Sequence, residues 1–150
     1  VGKDENWRTV VSLYDLGNFA NPELVERQPL PTAGCDTAAL YEHKAFTFNP
    51  NTGELMLPFY DWGYYESADT GVLLYNITEQ GVGLEGTLQM GGEPYDEGPA
   101  RRSMYNGENL IGVSACRITS APLSNPSSVI SSIPIYGDSC VFPGWWGYYY

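Results

Sequence analysis

Few side chains in this sequence carry chemistry, and their spacing limits what they can do. His43 is the single histidine of 150 residues, with Glu42 just before it. Arg101 and Arg102 are adjacent further along. Two guanidiniums and an imidazole suit a carboxylate or another anion. The same groups equally suit ion pairs that set how two segments pack. Hydrolysis would need a nucleophile beside a base and a partner orienting that base, and His43 brings neither. No GxSxG, HExxH, P-loop or GxGxxG pattern occurs. No residue is therefore assigned as catalytic, and a non-enzymatic protein is expected.

Carboxylates cluster in two stretches, Asp61, Glu66 and Asp69 in one and Glu93, Asp96 and Glu97 in the other. Hard oxygen ligands in loops suit Ca²⁺, although neither stretch has EF-hand spacing. Asp61, Glu66 and Asp69 are calcium candidates on ligand type alone, the ordinary alternative being a solvated acidic loop. No other cofactor is expected. Asn76-Ile77-Thr78 is an N-glycosylation sequon, whereas Pro126 blocks the one at Asn125. Cys35, Cys116 and Cys140 have no zinc spacing. In an oxidising compartment two of the three pair; in a reducing one all three stay free thiols. The chain ends in Trp145, Trp146, Tyr148, Tyr149 and Tyr150. That tail either folds back over the last strands or serves as an aromatic interface.

The composition narrows the partners. A net charge of −11 repels nucleic-acid phosphates and anionic lipid heads. No apolar run reaches the about 18 residues of a membrane-spanning helix. The acidic balance, the sequon and the 12 tyrosines point to an extracellular or cell-surface protein. The chain opens on Val1 rather than Met, so it is expected to be a processed or trimmed part of a longer product.

The elements that must position these groups are strands. Thr9–Leu16 and Glu23–Leu30 flank a turn-rich break. Lys44–Phe48, Glu54–Tyr60, Gly71–Ile77 and Gly83–Met90 follow within Leu40–Met90. Arg101–Tyr105, Asn109–Ile118 and Val129–Ile135 complete the series. Pro31–Asp36 reads as a linker and Val1–Arg8 as an extended lead-in. Four consecutive antiparallel strands in about fifty residues is the size of one β-propeller blade.

The strands repeat. Segments beginning at Ser12, Leu73 and Cys116 each read as strand, polar turn, strand. Segments beginning at Ala45 and Ser103 share an aromatic residue, an Asn/Gly hairpin and an apolar exit. The fold expected is all-β, with about two and a half antiparallel four-stranded propeller blades over residues 1–136 and an aromatic tail at 137–150. A β-sandwich of similar length is the alternative. Propellers close with about 4–8 blades, so a partial set leaves open sheet faces and calls for further segments. Innermost strands line a propeller's channel, which would put His43, Arg101 and Arg102 at one channel mouth.

Four ordered blocks carry a family resemblance: Ser12–Val25 (SLYDLGNFANPELV), Ala39–Pro58 (ALYEHKAFTFNPNTGELMLP), Gly71–Ile77 (GVLLYNI) and Arg101–Ser114 (RRSMYNGENLIGVS). The chain resembles the secreted β-propeller domain family of archaea and bacteria, distantly similar to WD40 proteins. The resemblance covers about residues 9–135 and implies a propeller's C-terminal blades. It implies no reaction. Glu42 stands where the family has Asp, and Asn76 where it often has Asp. The expected function is an extracellular, non-enzymatic scaffold or assembly module, in a filament or surface layer. Its partners would be the remaining propeller segment or other protein chains, copies of itself included. The alternative is a ligand-binding or hydrolytic propeller with its site at the channel mouth.

Overall fold

The computed structural model describes residues 1–61, 63, 69–91 and 98–135. Its strands are β1 (Gly2–Lys3), β2 (Thr9–Asp15), β3 (Glu23–Pro29), β4 (Cys35–Asp36), β5 (Thr47–Asn49), β6 (Glu54–Asp61), β7 (Asp69–Thr78), β8 (Gly81–Gln89), β9 (Arg102–Asn106), β10 (Asn109–Val113), β11 (Arg117–Pro122) and β12 (Ser131–Pro134). They form three antiparallel sheets: β1-β2-β3, then β4-β6-β7-β8 with β5 also on β6, then β9-β10-β11-β12. Each sheet follows the last in the chain, as blades do. Among the described residues no helix is long and apolar enough to cross a membrane.

The central sheet is buried on both faces because its two middle strands are apolar at consecutive positions. Leu55, Leu57, Phe59, Leu73 and Tyr75 turn to the first sheet, where they pack with Val11 and Leu30. Met56, Val72, Leu74 and Leu88 turn to the third sheet and pack with Leu110 and Ala121. Period-two alternation sends neighbours such as Leu73 and Leu74 to opposite interfaces. The open faces expected for this stretch are therefore closed by its own neighbours, and the unsealed faces belong to the outer sheets.

Polar ties lock the stack. The Glu26 carboxylate on β3 accepts the Val82 N–H at 2.5 Å. Lys3 and the Thr9 hydroxyl both donate to Asp36 Oδ1, at 3.1 and 2.9 Å. Between the second and third sheets, the Ser103 hydroxyl donates to the Met56 carbonyl at 2.7 Å, and Thr47 donates to the Ser103 carbonyl at 2.6 Å.

The strand inventory is fuller at both ends than the sequence suggests. The lead-in contributes β1, and the last sheet has all four strands. Asn109–Ile118 is two strands rather than one, broken at Ser114. That hydroxyl accepts the N–H groups of Cys116 and Arg117, at 3.2 and 3.0 Å, and reverses the chain. The linker at Pro31–Asp36 ends in β4. The two repeats hold: β2–β3, β7–β8 and β11–β12 match, and so do β5–β6 and β9–β10.

The loop between β1 and β2 is closed on itself. Asp4 N–H donates to the Arg8 carbonyl and Trp7 N–H to the Asp4 carbonyl, each at 3.0 Å. The Asp4 carboxylate accepts from the Asn6 and Arg8 N–H groups and from the Arg8 guanidinium. These bonds hold Trp7 at φ 61°, a left-handed conformation that no other non-glycine described residue adopts. For a bulky residue this costs about 1–3 kcal/mol.

Candidate functional site

Pro58 opens the space in which the candidate site forms. A proline offers no N–H to a strand partner. Along this edge of β6, β5 pairs up to Met56 and β4 pairs only from Tyr60. Pro58 sits in the gap, and its carbonyl takes the buried Thr37 hydroxyl at 2.5 Å. The chain between β4 and β5 must leave the sheet edge, and does so as a short 3-10 helix, Ala38–Leu40, capped by Thr37. A turn over residues 41–45 follows. His43 lies on that turn. The strand start expected for it is displaced to Thr47.

On this turn Glu42 is the hub. Its carboxylate lies 3.6 Å from His43 Nδ1 and 3.5 Å from Arg102 Nη2 on β9 of the next sheet. It also accepts the Lys44 N–H at 3.1 Å. The Lys44 backbone bond foremost, then the nearby Arg102 and His43, hold the Glu42 carboxyl below its usual range. A cavity of about 270 Å³ opens beside it, lined by Ala38, Tyr41, Glu42, Tyr60, Pro99, Arg101 and Arg102. The structure thus brings Glu42, Arg101 and Arg102 to one hollow, while the His43 side chain is 85% exposed and is not among its lining residues. Tyr41 and Tyr60 are the lining residues that sequence reasoning missed. Their only signal was a position beside groups already singled out.

This arrangement can hold an anion or simply cross-link two sheets. Residues 1–125 match the family model described as a beta propeller domain. The chain belongs to the beta propeller domain family. In this chain the hollow lies between the turn that precedes β5 and the start of β9. No curated protein and no solved structure matches this propeller chain.

The other candidate residues are scattered through the propeller sheets. Asp61 and Asp69 face each other across the β6–β7 ladder. Asp61 is buried and engaged by the Thr32 hydroxyl and by the Gly63 N–H at 3.0 Å. Glu66 lies outside the described residues, and so do Glu93, Asp96 and Glu97. Among the described residues no group of three acidic, histidine or cysteine side chains is placed to hold a metal. Asn76 is half-buried two residues before the end of β7. Cys35 is a free, buried thiol whose pKa burial pushes up. Cys116 is buried and disulfide-bonded. Cys140 and the tail residues Trp145, Trp146, Tyr148, Tyr149 and Tyr150 lie outside the described residues.

Two tyrosines make stability depend on alkaline pH. Burial foremost, with Asp36 and Tyr41 adding and Arg101 opposing, pushes Tyr60 up to about 12. Burial, with a smaller push from Cys35, raises Tyr75 further. Among the described residues the buried Tyr75 hydroxyl has no hydrogen-bond partner. Unfolded tyrosine ionises near 10. Because the folded values are raised, their contribution is complete below about pH 10 and falls as pH climbs towards about 12. Tyr75→Phe removes a buried polar group that no described residue satisfies, so it should add about 1 kcal/mol. It should also flatten part of the alkaline loss. Urea unfolding at pH 8 and across the alkaline range checks both, and a destabilised Tyr75→Phe would contradict the orphaned hydroxyl.

Proposed function

We propose that this propeller segment is a non-enzymatic, extracellular assembly module, whose outer blades pack against further propeller sheets. One observation carries the reading. The outer face of the third sheet presents Val113, Ile118 and Ile133 in register across β10, β11 and β12, with Met104 and Ile111 beside them. Met104, Ile118 and Ile133 are all exposed. The central sheet buries the same kind of face twice, so an open one is a docking surface. The sequon at Asn76 and the disulfide at Cys116 support a secretory route. The aromatic tail, Trp145 to Tyr150, is assigned to the same assembly.

A fluorescent hydrophobic dye tests the surface. At sub-micromolar protein the chain should bind the dye, and Ile118→Ser with Ile133→Ser should abolish most of the signal. A folded wild-type chain that ignores the dye would sink the reading.

The hollow at Glu42, Arg101 and Arg102 supports a second reading, a carboxylate-bearing ligand held at the channel mouth. Arg102→Ala decides between roles. Unchanged citrate binding with a lowered melting temperature makes Arg102 a cross-link between sheets, whereas loss of binding at unchanged stability makes it a ligand residue.

A further inference from the structure

Resting on the second reading above, that the hollow takes a carboxylate, we propose that this hollow binds an acidic sugar, with the carboxylate of one hexuronate residue on Arg102 and its ring against Tyr41.

Charge points to a ligand with a single carboxylate. The chain has 18 acidic residues against seven basic ones, yet two of the seven line this cavity. Among the described residues Glu42 is the one carboxylate that lines it with them. Two guanidiniums against one carboxylate leave one positive charge, which a monoanion neutralises. Arg102 is already positioned. Its Nη1 donates to the Arg101 carbonyl at 3.1 Å, and its Nη2 lies 3.5 Å from Glu42. Each of these nitrogens carries a second N–H that a ligand carboxylate can use.

Glu42 adds a demand for hydroxyl groups. An ionised carboxylate accepts hydrogen bonds and donates none. The Lys44 N–H, Arg102 and His43 hold Glu42 in that form. A ligand made only of acceptors meets repulsion there. A ligand with hydroxyls beside its carboxylate satisfies Glu42 and Arg102 together.

The apolar part of the lining suits a sugar ring. Tyr41 is 81% exposed, and Ala38 and Pro99 line the same cavity. The face of an aromatic ring is electron-rich, and the C–H bonds of a sugar ring are polarised by their oxygens, so the two attract. A volume of about 270 Å³ lies just under the about 300–1,000 Å³ of drug-sized pockets, which fits one pyranose ring.

The walls of the hollow are fixed independently of the arginine side chains. The Ser103 N–H donates to the Ala45 carbonyl at 3.2 Å, and the Thr47 hydroxyl donates to the Ser103 carbonyl at 2.6 Å. These bonds tie the turn before β5 to β9 without using either guanidinium. A site formed in advance loses little freedom on binding.

NMR titration of the full chain tests the proposal. The ligands are the methyl glycosides of glucuronate and galacturonate, their neutral glucoside and galactoside counterparts, and acetate. At least one uronoside should bind about 10-fold more tightly than its neutral counterpart, which lacks the carboxylate, and than acetate, which lacks the ring. Tyr41→Ala should weaken that binding about 10-fold, whereas Tyr41→Phe should keep it, because the ring face carries the contact. The Tyr41 side chain is largely exposed, so both variants are expected to fold. Tyr41→Ala that binds as wild type overturns the proposal, and so do uronosides that bind no tighter than acetate. If citrate still binds in that case, the carboxylate reading stands with a ligand of another class; if citrate does not bind either, both readings fall. A trimer of the preferred uronate separates two sources of the same chemistry. Tighter binding than the methyl glycoside supports a uronate-bearing polysaccharide, and equal or weaker binding supports a free acidic sugar.

Discussion

Truncating Leu73 or Leu74 to alanine is expected to cost about 2–5 kcal/mol each and to loosen different parts of the molecule. Both side chains are fully buried. Leu73 packs with Val11 and Leu30 of the first sheet, whereas Leu74 packs with Leu110 and Ala121 of the third. Removing either leaves a cavity at one interface only. Amide hydrogen exchange should then accelerate in β2 and β3 for Leu73→Ala, and in β10 and β11 for Leu74→Ala. If both variants loosened the same sheet, the two-sided central sheet would be wrong. The expectation follows from pleat geometry, since adjacent residues of one strand cannot share a face.

The same pleat explains what was legible in the sequence. Strands with long, well-bounded runs were readable to within two residues: β2 against Thr9–Leu16, β3 against Glu23–Leu30, and β6 against Glu54–Tyr60. The propeller assignment rested on those strands and on the repeats, and the family match over residues 1–125 agrees with it. The two-residue strands β1 and β4 carry no periodicity to detect. The break at Ser114 was hidden because the apolar pattern runs across it, and a hydroxyl turn leaves only a weak mark. The burial of the central sheet was in plain view as consecutive apolar residues in Leu55–Phe59 and Val72–Tyr75, a pattern that belongs to sheets covered on both sides. At the candidate site, the residue types were visible but their placement was not. His43 sits on a turn because Pro58, fifteen positions later in the chain, leaves the neighbouring strand edge without a donor. Nothing local to Trp7 marks its backbone conformation, which Asp4 and Arg8 impose.

The chain's glycines give a comparison that tests the central ladder from inside. Gly71 on β7 pairs with Phe59 on one side and Gln89 on the other. A Cβ there would overlap the Leu88 carbonyl oxygen and approach Phe59 Cε1 to 2.9 Å. The first obstacle is backbone, so relief requires β8 to move away from β7. Leu88 is fully buried against the third sheet, and any such shift also disturbs that interface. Gly71→Ala is therefore expected to cost at least about 3 kcal/mol, the upper end of overpacking penalties. Gly83 on β8 has no atom nearer than 4.0 Å to its Cβ position. Alanine fits there unopposed and restricts the unfolded chain, so Gly83→Ala should stabilise by about 0.4–1 kcal/mol. Denaturant midpoints of the two variants should thus move in opposite directions, although both replace a glycine by alanine in neighbouring strands of one sheet. Equal shifts would mean that glycine's backbone freedom governs both sites. Opposite shifts would show that close approach of β7 to β8 is what requires glycine at position 71.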